Sequence, residues 1–406
     1  MKFMRRLVLG LLIFAGLWGS IPVGKTLAND SVVFTDMYVD FQFGDAIEFT
    51  FSFESSLLPE TVWLMIEPDT MERKTFEIPV EMEDGIMQSS IKIPNLPLKA
   101  FSVVDYWYQI DFEMGKQVNS EVKTFEYVDN RFEWQTVPSE HFLLHRTQGD
   151  MIFATKAINI AELSVIQLEE KFSTPLNYPI DLYIYADSED LQETLWRSDL
   201  NWVAGNASPE LNHILVSISL GVDERLEMER QIPHELTHLF QYQISESHYH
   251  NQPMWLLEGL ATNAEISQNE VYAQVLADGV NADSLIPLSD LVRHFPEDDT
   301  DVYLAYAQSA SFTNYLQQNL GSDHLESLLQ EYGTGTGYEQ GFYNVYQKTV
   351  GQMEIAWRQT LSGNHFSYFA MAELLPYLLV LMMIAGVPLV ISLLVRVASK
   401  KSSRGE

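Results

Sequence analysis

The chain has 406 residues, 46% of them hydrophobic and 12% aromatic, enough for two or three domains with filled cores. Its 56 acidic against 24 basic residues give a net charge of −32, which repels polyphosphates and all but rules out nucleic acid as a partner. With no cysteine, disulfides, iron–sulfur clusters, thiolate zinc sites and cysteine nucleophiles are excluded, so any metal must be held by histidines and carboxylates.

Residues 1–28 read as a secretory signal peptide. Lys2, Arg5 and Arg6 form a positive start, 7–18 an apolar run, and Thr26-Leu27-Ala28 a small-residue cleavage site. An uncleaved anchor is the alternative, disfavoured because so short a run spans a bilayer poorly. Residues 29–130 are predicted to be an all-β, immunoglobulin-like sandwich. In 47–53 (Ile-Glu-Phe-Thr-Phe-Ser-Phe) apolar residues alternate with period two, and Phe76, Ile78, Val80 and Met82 repeat that pattern as one strand. Further strands are expected at 62–66, 89–93, 104–112 and 122–127, separated by turn residues. Nothing in this segment carries catalytic chemistry.

An α+β zincin-like domain is expected over 131–365, mixed α/β to about 220 and mostly helical from 224. Strands are predicted at 141–146, 180–185 and 214–218. A helix is predicted over 150–172, with Ile152, Ala157, Ile160, Leu163 and Leu168 on its apolar face. Beyond it, residues 374–395 are uncharged, long enough to cross a hydrocarbon core of about 30 Å, and are followed by Arg396, Lys400, Lys401 and Arg404. A single transmembrane helix at 373–395 and a basic cytoplasmic tail at 396–406 follow. The expected location is the cell membrane, single-pass type I, with the bulk of the chain outside the cytoplasm.

The chemistry concentrates in 233–265. His234-Glu235-Leu236-Thr237-His238 is an HExxH pattern. Residues four apart on a helix differ by about 40° around its axis, so both imidazoles point the same way, the spacing that grips one zinc ion. Pro253 opens a second helix that carries Glu258. An antiparallel return can bring that carboxylate back to the histidines as a third ligand, and three ligands with one open position is the arrangement of catalytic zinc sites. Pro233 lacks an N–H, so 226–231 is expected to be a separate turn. Glu265, seven residues past Glu258 and near the same helix face, is a candidate acceptor that orients a ligand histidine, or else a solvated glutamate. Residues 212–218 are a candidate edge strand for an extended substrate, with His213 on the rim. His248 and His250 are expected to be solvated in the loop between the metal helices.

HExxH followed by Trp255-Leu256-Leu257-Glu258-Gly259-Leu260-Ala261 resembles the gluzincin metallopeptidases, in particular the peptidase MA-like family. The stretch from Leu304 to Phe312, then Tyr315-Leu316, Leu320-Gly321 and Ala356-Trp357, is similar to that family's downstream pattern. The resemblance covers roughly 140–360. It implies one zinc ion held by His234, His238 and Glu258, with Glu235 as general base in hydrolysis of a peptide or protein substrate outside the cytoplasm. Tyr306 is the candidate donor to the tetrahedral oxyanion, against the alternative of a packed helix tyrosine. A catalytically silent binding or sensor protein, and a zinc hydrolase acting on a non-peptide ester or amide, are the competing readings.

Overall fold

The computed structural model describes residues 32–361 apart from 84–85, 95, 196–204 and 297. The predicted signal peptide, transmembrane helix and basic tail lie outside the described residues.

Residues 33–126 form two antiparallel sheets. One runs β1 (Val33–Asp40), β2 (Ile47–Glu54), β6 (Ile86–Ile93), β5 (Glu81–Glu83). The other runs β4 (Lys74–Glu77), β3 (Pro59–Pro68), β7 (Val103–Phe112), β8 (Lys116–Asn119), with β9 (Lys123–Glu126) also on β7. This is the strand order of an immunoglobulin-type sandwich. The alternation in β2 turns Ile47, Phe49, Phe51 and Phe53 inward, where Phe51 stacks on Tyr108 of the facing sheet at 4.1 Å. The single strand expected over 76–82 is two strands in different sheets. Ile78 still donates to the Val62 carbonyl, but Pro79 has no N–H to continue the ladder, and the chain crosses over. Strand β1 went unpredicted because it is a mostly exposed edge, bulged between Phe34 and Asp36.

The second sheet system has the order β10 (Gln135–Pro138), β11 (Phe142–Arg146), β12 (Ile180–Tyr185), β14 (His213–Ser217), β13 (Gly205–Ser208). Strands β11, β12 and β14 are parallel, and β10 and β13 run antiparallel at the two edges. The expected edge strand at 212–218 is therefore interior; the edge is β13, inserted beside it by a tight return through Asn212 in the left-handed conformation. Period two gives each face its own core. Leu182, Ile184, Ile214 and Val216 pack with the helices, whereas Tyr183, Tyr185 and Leu215 join the core of the sandwich.

Helix α1 (Met151–Phe172) starts where the Asp150 carboxylate accepts from the amides of Ile152 and Phe153. Its buried face is Phe153, Ala157, Ile160, Ala161, Val165, Leu168 and Phe172; Ile152 and Leu163, expected on that face, are exposed. The remaining helices are α2 (Ser188–Thr194), α3 (Glu224–Ser245), α4 (Met254–Thr262), α5 (Glu270–Asn281), α6 (Asp299–Leu320), α7 (Ser322–Gly333) and α8 (Tyr338–Tyr346).

The sandwich meets the second sheet through aromatic rings. Phe101 stacks on Tyr183 at 3.7 Å, and the fully buried Asp129 accepts from Arg131, Tyr185 and Thr194. His213, expected on the rim, is 2% exposed at this seam, edge-on to Phe101 and Tyr183. Burial pushes its pKa from 6.5 down to about 4. Between those values the unfolded chain binds the extra proton, so stability falls as pH drops through the window and no further below it. This single group contributes about 3 kcal/mol of that loss. A His213→Leu chain should show a correspondingly flatter melting temperature against pH between 6.5 and 4; parallel curves for the two chains would contradict the assignment.

Candidate metal centre

Helix α3 runs without interruption through Pro233, so the separate turn expected at 226–231 does not form. The reason is a non-local bond. The Glu229 carbonyl, which Pro233 cannot satisfy, accepts the Ile266 amide at 2.9 Å. The proline thus fastens the first metal helix to the residue that follows Glu265. Beyond it, His234 and His238 project side by side, their ring centroids 5.3 Å apart.

Helix α4 brings the third group. Its orphan N-terminal amides are taken up by a neighbouring loop, with Met254 donating to the Val292 carbonyl and Trp255 to that of Leu291. Gly259 sits hard against α6, where a Cβ would come 2.4 Å from the Ser309 carbonyl oxygen. Glu258, next to it, is held over the histidines: its Oε2 lies 3.2 Å from His234 Nε2 and 3.8 Å from His238 Nε2.

The other ring nitrogens are committed. His234 Nδ1 lies 3.2 Å from Glu265 Oε1, and His238 Nδ1 lies 2.9 Å from Gln241 Oε1. Gln241 in turn donates to the Leu257 carbonyl at 2.9 Å. Each outer acceptor turns the Nε2 of its ring toward Glu258. Helix α4 ends at Thr262, so Glu265 reaches His234 from the turn after the helix rather than from the same helix face.

Electrostatics follow the packing. Burial opposes charge on His234, yet Glu258, Glu265 and Glu235 together hold its pKa well above 6.5. Burial pushes His238 down. Burial also pushes Glu258 up, but His238, His234 and the Tyr306 hydroxyl outweigh it and keep the carboxyl below its ordinary value. Glu235 is 8% exposed and burial raises its pKa to about 7, the range useful to a general base. Its carboxylate lies under β13, where a Cβ on Gly205 would come 2.4 Å from Glu235 Oε1. Glycine is what lets the edge strand lie so close to this acid.

Tyr306, on α6, has its ring 6.2 Å from that of His234 and packs edge-on to Phe295. A cavity of about 1130 Å³ opens onto these groups, its wall including Asn206, Arg230, Tyr249, Tyr272 and Tyr338. His248 and His250 stay outside the cluster. His248 contacts the Gly333 carbonyl at 2.9 Å, and the exposed His250 contacts Glu210 at 3.2 Å.

Residues 160–363 match the family model described as the Peptidase MA superfamily, half of the chain. The chain belongs to that superfamily. Among solved structures it is similar to yeast LTA4 hydrolase in complex with bestatin, 12% identical over 80% of this chain and 68% of that one, with a TM-score of 0.38. It is also similar to an M1 zinc metallopeptidase from Deinococcus radiodurans, 12% identical over 79% and 90%, with a TM-score of 0.33. OgpA from Akkermansia muciniphila is 15% identical over 25% of this chain, which spans 29% of OgpA, with a TM-score of 0.20. No curated protein matches.

For a member of this superfamily the donor set fits zinc. Two imidazole nitrogens and one carboxylate oxygen, from His234, His238 and Glu258, lie within 4.8 Å of one another, and the cavity leaves a fourth side open. Glu265 and Gln241 complete the shell by aiming the rings. Glu265→Gln is expected to weaken zinc binding about 10–100-fold, read by competition with a chelator of known affinity. An unchanged affinity would remove Glu265 from the site. Gln241 and Gly205 escaped the sequence reading. Gln241 stands three residues past His238, a spacing that by itself could have flagged it, whereas the approach of Gly205 depends on a strand order that no local pattern reveals.

Proposed function

We propose that the chain is a zinc-dependent peptidase that is exported, anchored by residues 373–395 and turned outward, cutting peptide or protein substrates outside the cytoplasm. The observation that carries this reading is the convergence of His234, His238 and Glu258 with the buried Glu235 beside them. His234, His238 and Glu258 would hold a zinc ion, which would supply Lewis-acid polarisation of a carbonyl and a water made nucleophilic near neutral pH. Glu235 takes the proton from the attacking water and passes it to the leaving amine, a transfer suited to a carboxyl with its pKa near 7. Tyr306 supplies a hydroxyl on the Glu258 side of the cleft for the oxyanion. Strand β13, an edge strand among the described residues whose Gly205 lies against Glu235 and whose Ala207 amide donates to that carboxylate, is suited to an extended peptide that adds as a strand.

The test is hydrolysis of a broad peptide library by the full chain. Cleavage should stop with a chelator and return with zinc. A metal-loaded chain that cleaves no member would contradict the peptidase reading, and cleavage indifferent to chelator would contradict the metal's role.

A further inference from the structure

Arg230 sits one helical turn before His234, on the same face of α3, and lines the cavity. Its guanidinium is pinned but not neutralised. Nε donates to the Ser267 carbonyl at 3.1 Å and one Nη2 hydrogen to the Gln268 carbonyl at 3.2 Å. Two of the five N–H donors are therefore engaged, and three remain.

Among the described residues Arg131, Arg225 and Arg358 each pair with a carboxylate, whereas Arg73, Arg146, Arg230 and Arg293 have none within ion-pair distance, and of these four Arg230 and Arg293 line the cavity. The acids that share the helix of Arg230 or the cavity wall beside it are committed elsewhere. Glu227 accepts from the Ser219 amide at 2.9 Å, Glu229 from Arg225 and from Ser267, and Glu265 faces His234. Arg293 and His294 add positive or titratable groups to the same cavity wall. A guanidinium held in fixed orientation with spare donors is built to take a carboxylate through paired N–H bonds.

We infer that Arg230 is a specificity-determining residue that binds a carboxylate of the peptide substrate, either its C-terminal carboxylate or an Asp or Glu side chain. The inference rests on the peptidase reading and names its substrate class. It runs against the charge of the chain as a whole, which would attract cationic peptides; the cleft selects the opposite sign locally.

The experiment uses the zinc-loaded full chain carrying Glu235→Gln, so that peptides bind without being cut. Calorimetry compares peptides of one sequence as C-terminal acid and amide, and with internal Glu or Gln. The acid in one of these two series should bind about tenfold or more tighter, and which series does so identifies the source of the carboxylate. Adding Arg230→Gln should bring acid and neutral partner to within about twofold, and Arg230→Lys should restore part of the difference. A merely structural role for Arg230 would weaken both partners alike. Equal affinities in both series with Arg230 in place, a preference that survives Arg230→Gln, or no binding of any peptide would overturn the inference. Arg230-dependent binding of acids, with no cleavage of them when Glu235 is present, would leave the inference standing and remove the peptidase reading. Equal binding of acids and amides alongside efficient cleavage of both would do the reverse.

Discussion

Glu235→Gln is expected to lower kcat about 10²–10⁴-fold while leaving zinc in place. The substitution keeps the shape that fits under Gly205 and touches none of the three ligand atoms. What it removes is the only function that burial has tuned in this side chain, uptake of a proton near pH 7. The sign of the pH dependence follows. Glu235 must be deprotonated to act, so kcat/KM should fall as pH drops through its pKa, at about 7 for the metal-free carboxyl and lower beside a cation. Full activity in the Gln chain, with zinc present, would take the base role away from Glu235.

Glu258→Ala is expected to have the broader effect. It deletes the carboxylate that lies 3.2 Å from one ligand imidazole and 3.8 Å from the other. Stoichiometric zinc and hydrolysis should be lost together. Metal that binds only the folded chain adds about 2.7 kcal/mol at a hundredfold excess over its Kd. The parent chain should therefore melt lower after chelation, and the Ala chain should not respond. Purified Ala chain that still holds one zinc would show that the ion sits elsewhere.

The parts of the site legible in the sequence are those set by local periodicity. The i, i+4 spacing of His234 and His238 follows from helix geometry, and the second helix is marked by Pro253, while the return of Glu258 to the histidines is implied by the family resemblance. The alternating β2 likewise declared its buried face. What could not be read depends on partners far along the chain. The Glu229 carbonyl finds Ile266, 37 residues on, and so α3 survives a proline that local rules place at a helix end. Strand β13 takes the edge instead of β14 because of sheet order, which side-chain pattern does not encode. His213 looked like a rim residue until the sandwich covered the face it shares with Tyr183. Helix α1 carries Met151, Ile152, Leu163 and Ile166 exposed beside its polar residues, so its apolar pattern could not say which face the sheet would bury. The charge left free on Arg230 was invisible for the same reason, since it depends on where Glu227, Glu229 and Glu265 spend their hydrogen bonds.

The most direct measurement is X-ray absorption at the zinc edge on the purified full chain, with metal quantified in the same sample. The account predicts one zinc per chain in a shell of nitrogen and oxygen only, with two imidazoles that persist in Glu235→Gln and a shell that is lost in Glu258→Ala. A chain that takes up no zinc, or one whose zinc shell is unchanged when Glu258 is removed, would contradict it.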